Sequence, residues 1–164
     1  MISIVIPTKN RCETLMKVLP SYLNQKNVIE VIIVDDGSSD DTEKYVKKII
    51  QSENIIHYFK NAINKGSPAS RNIGYKLAIG DYIYFGEDDL ELAEGYLDTL
   101  LNHLIRNRVD IAAGRRIWMQ AGETKVNAEH RTALLKGNPI DYKYILSNFE
   151  IKLIQGTSSS KMDK

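Results

Sequence analysis

Apolar residues in this chain fall into two kinds of grouping, short unbroken runs and stripes at helical spacing. Ile2 to Ile6 is a β-branched run ending at Pro7, which predicts a buried strand followed by a loop. Leu15, Val18, Leu19, Tyr22 and Leu23 then recur at helical spacing, with Pro20 expected to kink the helix or mark a weak last turn. Ile29 to Val34 is a second run, and it stops at Asp35-Asp36-Gly37-Ser38. Asp40 and Glu43 have the spacing of a capping box, opening a helix to about Ile50. Ile55 to Phe59 predicts a third strand, and a turn-rich stretch from Asn61 to Pro68 leads into a helix reaching about Ile79. Tyr82 to Phe85 predicts a fourth strand, ending at Gly86-Glu87-Asp88-Asp89. Leu92 to Arg106 reads as a helix with Leu97, Leu100, Leu101 and Leu104 as its stripe, and Ile111 to Ala113 as a fifth strand.

Strand and helix alternate, and the strands are apolar on both faces. That pattern predicts an α/β fold, a mostly parallel central sheet sandwiched by helices. The pattern is strong over residues 1–110, fades over 111–156, and gives way to a polar tail expected to be mobile at 157–164. At 164 residues, 43% apolar and 26% charged, the chain has the balance of one globular domain. A net charge of +1 gives no field that argues for nucleic acid as a partner. Cys12 is the only cysteine, so neither an internal disulfide nor a cysteine zinc cluster is expected. There is neither a signal-peptide pattern nor an apolar run long enough to span a bilayer, which leads to the expectation of a cytoplasmic protein. Attachment at the membrane periphery stays compatible with that.

Ligands of open α/β sheets bind outside the carboxyl ends of the strands. Four loops lie there: Pro7 to Arg11, Asp35 to Ser38, Asn61 to Arg71, and Gly86 to Leu90. The last puts Glu87, Asp88 and Asp89 directly after a buried strand. Adjacent carboxylates repel unless a cation neutralises them, and oxygen-only ligands suit Mg2+ or Mn2+. The plainer alternative is a helix start decorated with acids that favour its dipole. Asp35 and Asp36 are either turn and cap residues or a carboxylate that accepts a hydrogen bond from a nucleotide base. Lys65 and Arg71 are either diphosphate ligands, with Gly66 allowing close backbone approach, or surface cations on a helix cap, and Arg11 has the same two options.

Taken together, four segments resemble the family 2 glycosyltransferases. They are Ser3-Ile4-Val5-Ile6-Pro7-Thr8-Lys9-Asn10-Arg11, Val34-Asp35-Asp36-Gly37-Ser38-Ser39-Asp40, Asn64-Lys65-Gly66 with Ala69-Ser70-Arg71-Asn72-Ile73-Gly74, and Gly80 to Phe85 followed by Glu87-Asp88-Asp89. The resemblance implies a GT-A fold, a Rossmann-like three-layer sandwich. It implies a sugar moved from a nucleotide diphosphate donor, by family habit a UDP-sugar, to a hydroxyl on a glycan or lipid-linked acceptor, with inversion. Pro7, Thr8, Arg11, Asp35, Lys65, Gly66, Arg71 and Asp88 are then expected to line the nucleotide pocket. Glu87, Asp88 and Asp89 are expected to hold Mn2+ or Mg2+, although Glu87 stands where the family commonly has Asp. The family's catalytic base lies well downstream of this acidic site, towards the end of this sequence, where Asp141 and Glu150 are the candidates. The resemblance implies a donor-binding half at 1–110 and the start of an acceptor side at 111–156, which reads as cut short. A donor-binding module without turnover is the alternative, and a homo-oligomer stays open.

Two other α/β families fit less well. A response-regulator receiver carries its acidic pair after the first strand, whereas here a whole strand–helix unit precedes Asp35-Asp36. A sugar nucleotidyltransferase has a glycine-rich first loop, and Pro7-Thr8-Lys9-Asn10-Arg11 has no glycine.

Overall fold

A computed structural model describes residues 1–114. The elements in chain order are β1 (Ile2–Thr8), α1 (Cys12–Leu23), β2 (Val28–Asp35), α2 (Thr42–Ile49), β3 (Ile56–Lys60), α3 (Ser67–Leu77), β4 (Tyr82–Phe85) and α4 (Tyr96–Asn107). The four strands pair in parallel in the order β3-β2-β1-β4.

The unbroken apolar runs belong to the two central strands, whose side chains are covered on both faces. Ile4, Ile6, Val31 and Ile33 pack on one side with Leu15 and Leu19 of α1, Val46 of α2 and Leu97 of α4. Val5, Ile32 and Val34 pack on the other with Ile73 of α3. Each fully buried aliphatic side chain of this set stabilises the fold by roughly 1.5–3 kcal/mol. The expected three-layer arrangement is therefore present. The edge strands are less covered, with Tyr82 and Phe85 of β4 exposed, a distinction that an apolar run alone does not carry.

Gly74 explains how α3 approaches the sheet so closely. A Cβ built there would lie 2.2 Å from Val5 Cγ1, so any side chain would push helix and strand apart.

Several boundaries differ from the sequence expectation. β1 runs through Pro7 to Thr8. Val5 O accepts from Gly86 N, so the odd-numbered residues of β1 turn towards β4, and Pro7 lies past the last β4 ladder pair, where a missing N–H breaks nothing. Pro20 sits inside α1, which continues to Leu23. It is exposed, so water can serve the carbonyl that its absent N–H leaves open. Asp40 lies one residue before the N-cap Asp41 of α2 and accepts from Thr42 N and Oγ1, but Glu43 turns outward to Lys47 and Lys60 and does not close a capping box. Those two lysines hold its carboxyl down at about 2.

The helix after the acidic turn begins at Tyr96, not near Leu92, because Gly95 takes a left-handed conformation (φ 69°) and Leu92 is buried in an irregular segment. The fifth strand expected at Ile111 to Ala113 does not form; these residues carry no regular structure and Ile111 is exposed. Three β-favouring side chains give a strand nothing without a neighbour to pair with. Among the described residues no helix is long and apolar enough to cross a membrane. The region from 115 onward, including the tail at 157–164, Asp141 and Glu150, lies outside the described residues.

Candidate functional site

β2 lies to one side of β1 and β4 to the other, so the chain reverses its winding direction at the β1–β4 junction. The crevice outside the carboxyl ends of such a pair is where this architecture leaves room for a ligand. The β1–α1 loop and the turn after β4 meet there. Thr8 Oγ1 donates to Asp88 Oδ2 at 2.8 Å, and Arg11 Nη1 reaches Asp88 Oδ1 at 3.2 Å and Asp89 Oδ2 at 2.6 Å.

The two acids differ in setting. Asp88 is buried, and burial pushes its carboxyl above the ordinary range against the pull of Thr8 and Arg11. Asp89 is half exposed, as is Arg11. The hydrogen bond donated to Asp89 and the charges of both acids raise the Arg11 pKa further, so the guanidinium is always charged. One half-exposed cation therefore spans two carboxylates. Among the described residues no three His, Cys, Asp or Glu side chains converge as a ready metal cage. The pair nonetheless fits Mg2+ or Mn2+, which are commonly held by one or two carboxylates together with substrate phosphates.

The acidic turn is held from α1. Tyr22 Oη donates to Glu87 O at 2.9 Å and accepts from Glu87 N at 3.0 Å. Ser21 Oγ accepts from Leu92 N, and Gln25 bridges Ala93 O and Leu97 N. Sequence reading placed Tyr22 in the apolar stripe and passed over Ser21 and Gln25. The available signal was Gln25, a polar residue three positions after Tyr22, just past the end of the apolar stripe.

Asp35 and Asp36 are engaged by the chain itself. Asp35 is fully buried, with Oδ1 accepting from Ser38 N at 2.7 Å and Oδ2 from Tyr58 Oη at 2.5 Å. Burial and this acceptor together raise the Tyr58 pKa, so its hydroxyl keeps the proton. Asp36 accepts from Asn61 Nδ2, Lys65 N and Gly66 N, all within 2.8 Å. Burial opposes its charge, but these donors outweigh burial and hold its carboxyl below the usual range. Gly66 donates that bond with φ 85°, a conformation that a side chain would strain.

Arg71 of α3 bonds Ser67 Oγ through Nη1, and its Nη2 lies 3.8 Å from Glu87 Oε1. Arg71 and Glu87 are both partly exposed. Lys65 is exposed and contributes its backbone to Asp36, and Pro7 is buried within β1. The structure thus brings Thr8, Arg11, Asp88 and Asp89 into direct contact, with Arg71 and Glu87 as a second facing pair. Asp35 and Asp36 support the neighbouring loop from within.

Comparison with known proteins identifies relatives of this chain. An uncharacterized glycosyltransferase of Haemophilus influenzae is 30% identical over 155 residues, covering 94% of this chain and 60% of the relative. The Campylobacter jejuni GalNAc(5)-diNAcBac-PP-undecaprenol beta-1,3-glucosyltransferase is 38% identical over 102 residues, covering 61% of this chain and 33% of that protein. This chain therefore spans only part of the length of these relatives. The crystal structure of S. aureus TarS 1-349 in complex with UDP-GlcNAc superposes with a TM-score of 0.61 at 25% identity, over 72% of this chain and 37% of that one. Residues 3–160 match the model of the family described as Glycosyl transferase family 2. A match of that extent, on a parallel sheet with its polar loops at the strand ends, makes this chain a member of glycosyl transferase family 2 with the α/β architecture of the GT-A enzymes.

Proposed function

We propose that the described half binds the nucleotide diphosphate of a sugar donor at the β1–β4 junction, as the donor-binding half of a glycosyltransferase. The observation that carries this reading is Arg11 bridging Asp88 and Asp89 at the strand ends. A carboxylate pair neutralised by a half-exposed guanidinium is a place that would hold Mg2+ or Mn2+, with Arg11 beside it to face phosphate. Asp88 and Asp89 would hold the ion, with Glu87 adjacent. When bound, the ion offsets the negative charge that builds on the departing diphosphate.

The remaining roles fall to the chain's own groups. Arg11 and Arg71 face the diphosphate as bidentate donors, with Lys65 and the Gly66 amide at the edge of the same space. Thr8 orients Asp88. Pro7 shapes the floor from within β1. Asp35 takes the base N–H contact, and because its carboxylate is fully buried the Tyr58 hydroxyl must move aside first.

The donor is a UDP-sugar, supported by the resemblance and by the UDP-GlcNAc bound to the TarS neighbour. The acceptor is a glycan or lipid-linked hydroxyl, the class named for the C. jejuni relative. The sugar is displaced directly, with inversion. A carboxylate base takes the acceptor proton, and Asp141 and Glu150 are the candidates.

Calorimetric titration with UDP, GDP and dTDP, each with and without Mn2+, tests the reading. Metal-dependent binding of UDP that is lost in Asp89→Ala supports it. A folded chain that binds none of the three removes it.

A further inference from the structure

Tyr22 belongs by position to the core stripe of α1, and its ring is fully buried beside Tyr84. A phenylalanine or leucine there would satisfy the core equally well. The hydroxyl needs a separate explanation, and both of its hydrogen bonds go to one residue, Glu87, immediately before Asp88. Gly86 N, bonded to Val5 O at 2.9 Å, is the last backbone link from β4 to β1, and Tyr22 takes over at the next residue. Gly86 lies against the ring so closely that a Cβ there would be 2.9 Å from Tyr22 Cε1. Burial pushes the phenol up to about 12, so the hydroxyl keeps the proton it donates.

The far side of the turn is clamped by the same helix end. Gln25 donates to Ala93 O at 2.9 Å and accepts from Leu97 N at 3.1 Å. Asp88 and Asp89 are therefore suspended between two attachments to α1, one at Glu87 and one at 92–97. Their spacing from Thr8 and Arg11, which α1 follows directly in sequence, depends on that suspension.

We infer that Tyr22 is a positioning residue for the acidic pair, assisted by Gln25, and that its hydroxyl sets the affinity for the metal-bound donor rather than the stability of the core. The inference rests on the reading of Asp88 and Asp89 as the cation-holding pair. Tyr22→Phe keeps the ring and removes both bonds to Glu87.

The test compares full-length wild type and Tyr22→Phe by calorimetry with UDP, with and without Mn2+, alongside amide hydrogen exchange. UDP alone should bind both proteins equally. The gain that Mn2+ adds should fall roughly tenfold in the variant, the scale of one to two net hydrogen bonds. Exchange at the Glu87 amide should accelerate while the Gly86 amide stays protected. An undiminished Mn2+ gain in folded Tyr22→Phe overturns the inference alone. No Mn2+ gain in the wild type overturns the metal reading, and the inference with it. Should Tyr22→Phe fail to fold, Gln25→Met releases the other clamp at similar volume; a severalfold loss of the gain upholds the suspension, and full retention overturns it.

Discussion

The chain places two adjacent aspartates at the carboxyl end of a strand twice, Asp35-Asp36 at the end of buried β2 and Asp88-Asp89 beyond the less covered β4, and the fold treats them in opposite ways. The first pair is turned inward and satisfied by the chain's own donors: Ser38 and Tyr58 on Asp35, Asn61, Lys65 and Gly66 on Asp36. The second pair meets one hydroxyl and one half-exposed guanidinium. Equal charge thus serves two ends. Where neutral N–H groups surround a carboxylate, as at Asp36, it organises a loop, and where one hydroxyl and a half-exposed cation face the pair, as at Asp88 and Asp89, the charge stays available to a ligand.

The sharpest contrast is expected from Asp36→Ala. It strips a buried Asn61 amide and the partly buried Lys65 and Gly66 amides of their acceptor and should cost about 2–4 kcal/mol of stability, measured by urea unfolding. A loss below about 0.5 kcal/mol would show that the loop does not depend on this carboxylate. Asp89→Ala should do the reverse. Unfolding should stay within about 0.5 kcal/mol of wild type, because the side chain is half exposed, while the Mn2+-dependent part of UDP binding disappears.

The pH dependence extends the same contrast. The Asp36 carboxyl is held below its ordinary value by its donors, so its contribution is present above about pH 4 and is lost as pH falls through the lowered value. Unfolding measured from pH 6 downward should show wild type losing stability below about pH 4, and Asp36→Asn should lose less over that range. The smallest effect belongs to Arg11→Met. Removing the tethered cation should let Mn2+ alone bind a few-fold tighter, consistent with the modest worth of exposed ion pairs, while nucleotide binding weakens. Unchanged Mn2+ binding in that variant would separate Arg11 from the metal site.

Much of the fold was legible because the controlling residues are local in sequence. The runs at β1 and β2 and the turn signals between elements follow directly from side-chain burial and backbone preference. The misplaced start of α4 and the absent strand near Ile111 were not legible for a common reason. Leu92 fits a helical stripe, yet it is anchored to Ser21, a residue 71 positions away that no local pattern can register. Tyr58 likewise reads as an ordinary strand aromatic until β3 pairs with β2 and sets its hydroxyl against Asp35.

The sequence by itself determined the alternation of strand and helix, the parallel α/β class, and the concentration of polar and charged residues at the strand ends. Those features depend on periodicity and composition, which are properties of neighbours along the chain. Only the tertiary structure decided which acidic pair faces inward and which faces a cation, and that Tyr22 of α1 and Gln25 just beyond its end carry the acidic turn. A carboxylate's role follows from the donors and charges within a few ångströms of it, and those arrive from distant segments only when the chain folds.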